Sequence, residues 1–151
     1  MRQGALRALL PLVLMTVLVC ACSGIPRQQR DSERFERYLQ YAGPPVNQIT
    51  YLGHYDGWEA VGRYQLVLWT NINDAYLITV SPPCEDLQFA NRIGITQTAN
   101  TIDARFDFVT VGRHWKCQIL EIRPVDYLRM RRDMRTQREQ EQATNAKGNT
   151  Q

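Results

Sequence analysis

The chain has 151 residues, with 18 basic and 15 acidic side chains, two histidines and four cysteines. That length fits one domain rather than two. Beyond the N-terminus no apolar run reaches the roughly 20 residues that a membrane-spanning helix needs, which excludes a polytopic transporter. A formal net charge of +3 is too small to indicate a nucleic-acid-binding protein. Composition therefore bounds the size and class of the protein without pointing to an activity.

Residues 1–21 have the pattern of an export signal. Arg2 and Arg7 supply its positive region, and residues 8–19 form an apolar run that is too short to span a bilayer. The run ends in Val-Cys-Ala-Cys-Ser-Gly, which resembles a bacterial lipobox with Cys22 as the lipid-modified residue. An ordinary cleaved signal with an incidental cysteine is the alternative. The lipobox interpretation predicts a lipoprotein signal peptide that is cut before Cys22.

Lipid modification at Cys22 would determine where the protein works. One acyl chain holds a protein to a bilayer only marginally, whereas two or more anchor it firmly, as in mature bacterial lipoproteins. Ser23 stands where an Asp would retain a lipoprotein in the inner membrane. By resemblance to that sorting rule, we expect a lipid anchor in the outer membrane, on its periplasmic face.

Two cysteines remain outside the leader, Cys84 and Cys117. An even pair in an oxidising compartment predicts one disulfide. It would close a loop of about 34 residues and stabilise the fold by roughly 3–4 kcal/mol in the chain-entropy model. Two free thiols are one alternative, and a zinc cluster that includes His114 is another, although zinc needs more ligands than the local sequence offers. We expect no metal and no other cofactor.

Periodicity predicts an α+β fold, a mostly antiparallel sheet of five or six strands with one N-terminal and one C-terminal helix. Residues 22–30 show no period and are predicted to be a tether. A helix capped by Asp31 or Ser32 follows and stops at Gly43-Pro44-Pro45. Its apolar stripe at i, i+3, i+4 and i+7 consists of Phe35, Tyr38, Leu39 and Ala42.

The period then becomes that of strands. Residues 49–52 alternate, and the apolar run 66–69 is typical of a strand buried on both faces. A turn over residues 71–74 predicts a hairpin with a partner strand at 75–80. Residues 85–99 fit either a helical turn or a short strand.

Two further strands are predicted at residues 106–111 and 115–122. In the second strand, alternation places Cys117 and Ile119 on one face, with Leu120 and Ile122 on the other. Pro124 is predicted to end that strand, and Asp126 to cap the C-terminal helix.

Residues 31–135 thus form a single predicted α+β domain. From residue 136 the chain is rich in Gln, Glu, Asn and Thr and has no aliphatic side chain larger than Ala. Such a segment has little apolar surface to bury, so residues 136–151 are predicted to be a disordered polar tail.

Three runs in this domain carry a resemblance to a known family: RYLQYAGPPVNQITYLGHYDGW, LVLWTNINDAYLITVSPPC and KCQILEIRPVD. Over residues 33–126 the chain resembles a family of short proteobacterial secreted proteins, many of them lipoproteins, that is catalogued only as a domain of unknown function. The resemblance implies an exported location and the pairing of Cys84 with Cys117. It carries no catalytic residues that could be transferred to this chain.

Catalytic patterns are sparse. His54 and His114 each flank a turn, and neither lies in a nucleophile or metalloprotease motif. The carboxylate pairs Asp56/Glu59 and Asp103/Asp107 are close enough in sequence for acid–base work, but such pairs more often mark a solvated turn or a strand edge. We therefore assign no catalytic residue.

Two features suggest a contact surface. Arginines are concentrated between residues 129 and 138, where they could touch anionic lipid headgroups or peptidoglycan carboxylates; a solvated helix with internal ion pairs is the alternative. Tyr55 and Trp58 flank a turn and could serve as aromatic anchors. The candidate contact residues are Tyr55, Trp58, Arg129, Arg132 and Arg135.

The sequence as a whole favours a non-enzymatic binding or structural module of the cell envelope. Its expected partners are the membrane, through the lipid anchor, and an envelope protein or a cell-wall polymer; nucleic acid is not expected. The alternative is a small periplasmic hydrolase. A cluster of His54, Asp56 and Glu59 around one pocket would favour the enzyme, and an exposed aromatic patch would favour the binding module.

Overall fold

A computed structural model describes residues 27–112 and 115–148. The signal peptide, Cys22 and His114 lie outside the described residues. Of the predicted tether only residues 27–30 are described, and they belong to helix α1, which spans Arg27–Gln40. Asp31 and Ser32 therefore lie within the helix and are not its cap, because the Arg and Gln residues before them are themselves good helix formers.

The described part of the chain contains eight strands. They are β1 (Gln48–Thr50), β2 (Gly57–Ala60), β3 (Gln65–Trp69), β4 (Ala75–Val80), β5 (Ile93–Ile95), β6 (Thr101–Asp103), β7 (Phe108–Val111) and β8 (Trp115–Val125). A short 3₁₀ helix (Glu85–Phe89) precedes β5, and helix α2 (Tyr127–Gly148) follows β8.

All pairs among these strands are antiparallel. Six strands form one sheet in the order β2-β3-β4-β8-β7-β5, while β1 and β6 pair separately. The α+β class and the two flanking helices are confirmed. The predicted single sheet of five or six strands is corrected to a six-stranded sheet with a second, two-stranded one, because local periodicity does not show which strands pair with each other.

The six-stranded sheet buries both of its faces. In β3, Leu66 and Leu68 point to one side and Val67 and Trp69 to the other, as predicted for a strand covered on both faces. The first side faces β1, β6 and the 3₁₀ helix, and we call it the stapled core; its buried members include Ile49, Leu66, Leu68, Ile78, Leu87, Ile102, Ile119, Ile122 and both cysteines. The second side lies under α1 and α2, and we call it the helix-side core; its buried members are Tyr38, Val61, Val67, Ala75, Leu77, Val125 and Met130.

The stapled core takes its name from the disulfide between Cys84 and Cys117, which the structure contains. The two Cα atoms are 5.7 Å apart, and both side chains are buried. The bond joins the residue before the 3₁₀ helix to the third residue of β8, which confirms the predicted pairing.

A β-bulge decides which residues of β8 are buried. Thr79 pairs with Glu121 and Val80 with Ile119, so Leu120 is an extra residue in β8. Leu120 is 41% exposed, whereas Ile122 is buried in the stapled core. The alternation that placed Leu120 and Ile122 on one face is wrong, because the bulge shifts the strand by one residue.

Strand β8 also continues past Pro124, where the sequence predicts its end. The Pro124 carbonyl accepts a hydrogen bond from the Gly43 amide at 2.8 Å. The N–H and C=O of one strand residue point the same way, so the N–H that proline lacks would face Gly43 and not β4. The ladder between β4 and β8 therefore loses no hydrogen bond at Pro124.

Helix α2 begins as predicted but does not end as predicted. The Asp126 Oδ1 atom accepts a hydrogen bond from the Arg129 amide at 3.0 Å, which confirms the cap. The helix then runs to Gly148, so the predicted disorder from residue 136 is corrected for residues 136–148. The side chains of residues 136–147 are exposed, and Gln, Glu, Arg and Ala favour a helix even where nothing packs against it.

Candidate functional site

A groove of about 770 Å³ runs between the two helices on the outer side of the helix-side core. Helix α1 supplies one wall, the first half of α2 supplies the other, and Glu59 of β2 closes one part of it. We call it the arginine groove, because half of its lining residues are arginines. The lining residues are Arg34, Arg37, Tyr38, Glu59, Tyr127, Leu128, Met130, Arg131, Arg132, Met134, Arg135 and Arg138.

The charge of this lining is strongly one-sided. Glu59 is its single acidic residue, and its Oε1 atom lies 2.6 Å from the Nη1 atom of Arg34. The other five arginines form no ion pair with any described residue. The guanidinium of Arg131 lies 5.7 Å from the ring centre of Tyr127, a cation–π contact that leaves its charge unneutralised. An anion in the groove would therefore meet several uncompensated positive charges.

The floor of the groove is apolar and aromatic. Tyr38 and Met130 are buried, and Trp69 lies behind them against the rings of Tyr38 and Tyr127 in edge-to-face contacts. The buried indole nitrogen of Trp69 has no hydrogen-bond partner among the described residues. Burial, and then the nearby Glu59 carboxylate, raise the pKa of Tyr38, so this phenol stays neutral over the physiological range. The groove thus combines a neutral floor with a cationic rim.

A polar contact connects α2 to the chain just after α1. The Tyr41 hydroxyl donates a hydrogen bond of 2.9 Å to the Asp133 carboxylate, and this bond raises the pKa of Tyr41. Arg129 lies 3.8 Å from the same carboxylate, and its guanidinium is 5.9 Å from the Tyr41 ring centre. These contacts hold α2 beside the chain that leaves α1, so the walls of the groove have a defined spacing.

Only two of the three predicted arginine contacts line the arginine groove. Arg132 and Arg135 line the groove, next to three residues of α2 that the prediction did not single out, namely Leu128, Arg131 and Arg138. Arg129 does not line the groove. It pairs with Asp133, which agrees with the alternative of a solvated helix with internal ion pairs. The exposed Leu128 (50%) lies at the rim, where it adds apolar surface to the charged wall.

Tyr55 and Trp58 do not belong to the arginine groove. Both are half-buried and pack against the stapled core, on the other side of the sheet. The Tyr55 hydroxyl donates a hydrogen bond of 2.9 Å to the carbonyl of Ile93. Their ring faces therefore serve the fold, and the structure does not bring them together with Arg132 and Arg135.

Helix α1 also contributes to this site, which was not predicted from the sequence. Arg30, Arg34 and Arg37 recur at i, i+4 and i+7, beside the apolar stripe, and this spacing places them along one side of the helix. Arg34 and Arg37 line the groove. The periodic signal was present, but only the packing of α1 against α2 shows that the two sets of arginines face each other.

The residues proposed as an enzyme signature do not meet in one pocket. Glu59 lies in the arginine groove, while His54 and Asp56 are exposed in the connection before β2. Across residues 27–112 and 115–148, no three His, Cys, Asp or Glu side chains are grouped so that they could hold a metal ion. In the same residues, no helix is both long and apolar enough to cross a membrane.

Fold and groove together define a small, disulfide-containing α+β domain with a cationic surface groove. The chain belongs to the family of unknown function DUF6491, whose model matches residues 5–141. This membership confirms the resemblance to a family that is catalogued only as a domain of unknown function. No curated protein and no solved structure matches the chain significantly.

Proposed function

We propose that this protein is a lipid-anchored module of the outer membrane, facing the periplasm, that binds an anionic component of the cell envelope without transforming it. The observation that carries the proposal is the arginine groove, in which six arginines face a single glutamate. A concentration of positive charge over an apolar floor is suited to holding an anion by charge and contact.

The location in this proposal rests on the leader and on Cys22. The family match begins at residue 5, so residues 5–21 of the leader lie within the region that the family shares. The disulfide between Cys84 and Cys117 is the kind of bond that persists in an oxidising compartment such as the periplasm. Both features favour export, and the lipobox pattern favours anchoring at Cys22.

Metabolic labelling with radioactive palmitate tests the anchor. We expect label in the wild-type protein and none in Cys22→Ala, because the thioether forms on that thiol. Cys20→Ala is the matched control and should remain labelled. Equal labelling of wild type and Cys22→Ala, or labelling that depends on Cys20 alone, would contradict the proposed anchor.

Binding by the groove is tested separately with the mature chain, residues 22–151, which contains every residue of both cores. Its retention on immobilised heparin, used as a generic polyanion, should fall in Arg132→Gln/Arg135→Gln. The matched control is Arg92→Gln/Lys116→Gln, which removes the same charge from exposed positions outside the groove. Equal retention of the two double variants would remove the groove from the proposal.

A further inference from the structure

We infer that the occupant of the arginine groove is the phosphate-bearing headgroup layer of the membrane that holds the anchor, so that the helix side of the domain lies on the bilayer. This inference rests on the proposed function, since the anchor at Cys22 supplies the proximity. It names the anionic component as phospholipid headgroups and gives the domain an orientation.

The chain between Cys22 and the arginine groove is short enough for both to lie at one membrane surface. Four residues lie between Cys22 and Arg27, where α1 begins, and the five steps along the chain span at most about 18 Å when fully extended. Arg34 lies seven residues further, roughly 10 Å along the helix axis. The groove is therefore close enough to the anchor to touch the same membrane surface.

Positive charge is concentrated on the helices, and negative charge on the region that holds the strands. Residues 43–126, which hold all the strands, carry six basic and nine acidic side chains. Residues 127–151 carry six basic and three acidic ones, and α1 has four arginines against three acids. An anionic surface would attract the helices and repel the strand region, so this asymmetry orients the domain with the groove toward the lipid.

The rim of the arginine groove combines arginines with an apolar side chain. Arg132 and Arg135 are exposed, and the half-exposed Leu128 precedes them on the same helix. Arginine forms bidentate contacts with phosphate, and an apolar side chain beside it can enter the boundary between headgroups and acyl chains. A soluble acidic polymer could pair with the arginines but would gain nothing from contact with Leu128. We therefore favour a lipid surface.

Vesicle flotation with the mature chain, residues 22–151 with an unmodified thiol at Cys22, tests the inference directly. We expect binding to vesicles in which about a third of the lipid is phosphatidylglycerol and little binding to pure phosphatidylcholine. Arg132→Gln/Arg135→Gln should weaken the binding about 10- to 30-fold, because each basic side chain near an anionic surface contributes separately. Arg92→Gln/Lys116→Gln should leave it within about twofold of wild type.

A second variant should change the affinity in the opposite direction. Glu59→Gln removes the single acidic side chain of the groove and frees Arg34 from its ion pair. We expect vesicle affinity to rise about fivefold. A variant that had merely lost its fold would not bind more tightly, so this gain separates groove chemistry from structural damage.

Several outcomes would overturn the inference. They are equal binding to neutral and anionic vesicles, equal loss in the two double variants, and groove-dependent binding to purified peptidoglycan without binding to vesicles. Displacement from vesicles by millimolar inorganic phosphate at constant ionic strength would also overturn it, since it would assign the groove to free phosphate. Because this chain carries no acyl group, the result is independent of palmitate labelling; binding without labelling would leave the groove assigned and remove only the anchor.

Discussion

The two faces of the six-stranded sheet are covered in different ways. The stapled core is closed by β1, β6 and the 3₁₀ helix and is fixed by the disulfide, so its cover is short, irregular and covalently tied. The helix-side core is covered by two helices that leave a charged groove between them. Together with the proposed function, this difference predicts that the disulfide-linked face contributes more to stability and that the helix face makes the contacts with a partner.

The largest expected effect is on the stapled core. Replacing both cysteines by alanine should lower the free energy of unfolding by about 3–4 kcal/mol, because the unfolded chain regains the freedom of a loop that spans 33 residues. Urea unfolding of Cys84→Ala/Cys117→Ala, compared with oxidised wild type that keeps the disulfide, measures it. A loss well below 1 kcal/mol would show that the staple is not what holds this face together.

A smaller loss is expected on the helix side. Met130→Ala should cost about 2–3 kcal/mol, since Met130 is buried between α2 and the sheet. Leu128→Ala on the same helix is the control and should cost no more than about 0.5 kcal/mol, since Leu128 is half-exposed. Equal costs for the two variants in urea unfolding would contradict the packing of α2 described above.

The pH dependence of stability should report on the helix-side core through Tyr38. In the unfolded chain tyrosines ionise near pH 10, whereas burial raises the pKa of Tyr38 in the folded state. Between these two pKa values the native state binds more protons than the unfolded state, so the unfolding free energy falls as the pH rises above about 10. Tyr38→Phe should make this alkaline fall shallower. Parallel pH profiles for wild type and variant would contradict a protected phenol.

The smallest effect is expected at the far end of α2. Removing residues 140–151 takes away exposed helix and leaves both cores and all lining residues of the groove in place. We expect the melting temperature to change by less than about 2 °C, while the far-UV signal of a helix decreases. A fall of many degrees would show that this half of α2 packs against something.

How far the sequence predicted this structure depends on the kind of signal. Regular patterns succeeded: the stripe of α1, the apolar run of β3 and the cap at Asp126 are local features whose physics the sequence carries. The pairing of Cys84 with Cys117 was predicted from the even count of cysteines and from the expected oxidising compartment. These predictions needed no knowledge of which elements meet.

The failures share a different cause. The bulge at Leu120 and the passage of β8 through Pro124 depend on which strand lies alongside, and no local pattern encodes that. The end of α2 was misjudged because low apolar content signals the absence of packing, which a solvent-exposed helix shares with a disordered chain. The groove was half predicted: the arginines of α2 stood out, but their partners on α1 became visible only in three dimensions.

The division between the two faces can be tested by photo-crosslinking in living cells. A benzophenone side chain is placed at residue 128, on the rim of the arginine groove, or at residue 106, which is exposed in the turn before β7 on the stapled side. After irradiation, mass spectrometry of the purified protein reports what each position touches. If the arginine groove lies on the bilayer, a phospholipid adduct is expected at residue 128 and none at residue 106. Adducts at residue 106 alone, or the same adducts at both positions, would contradict it.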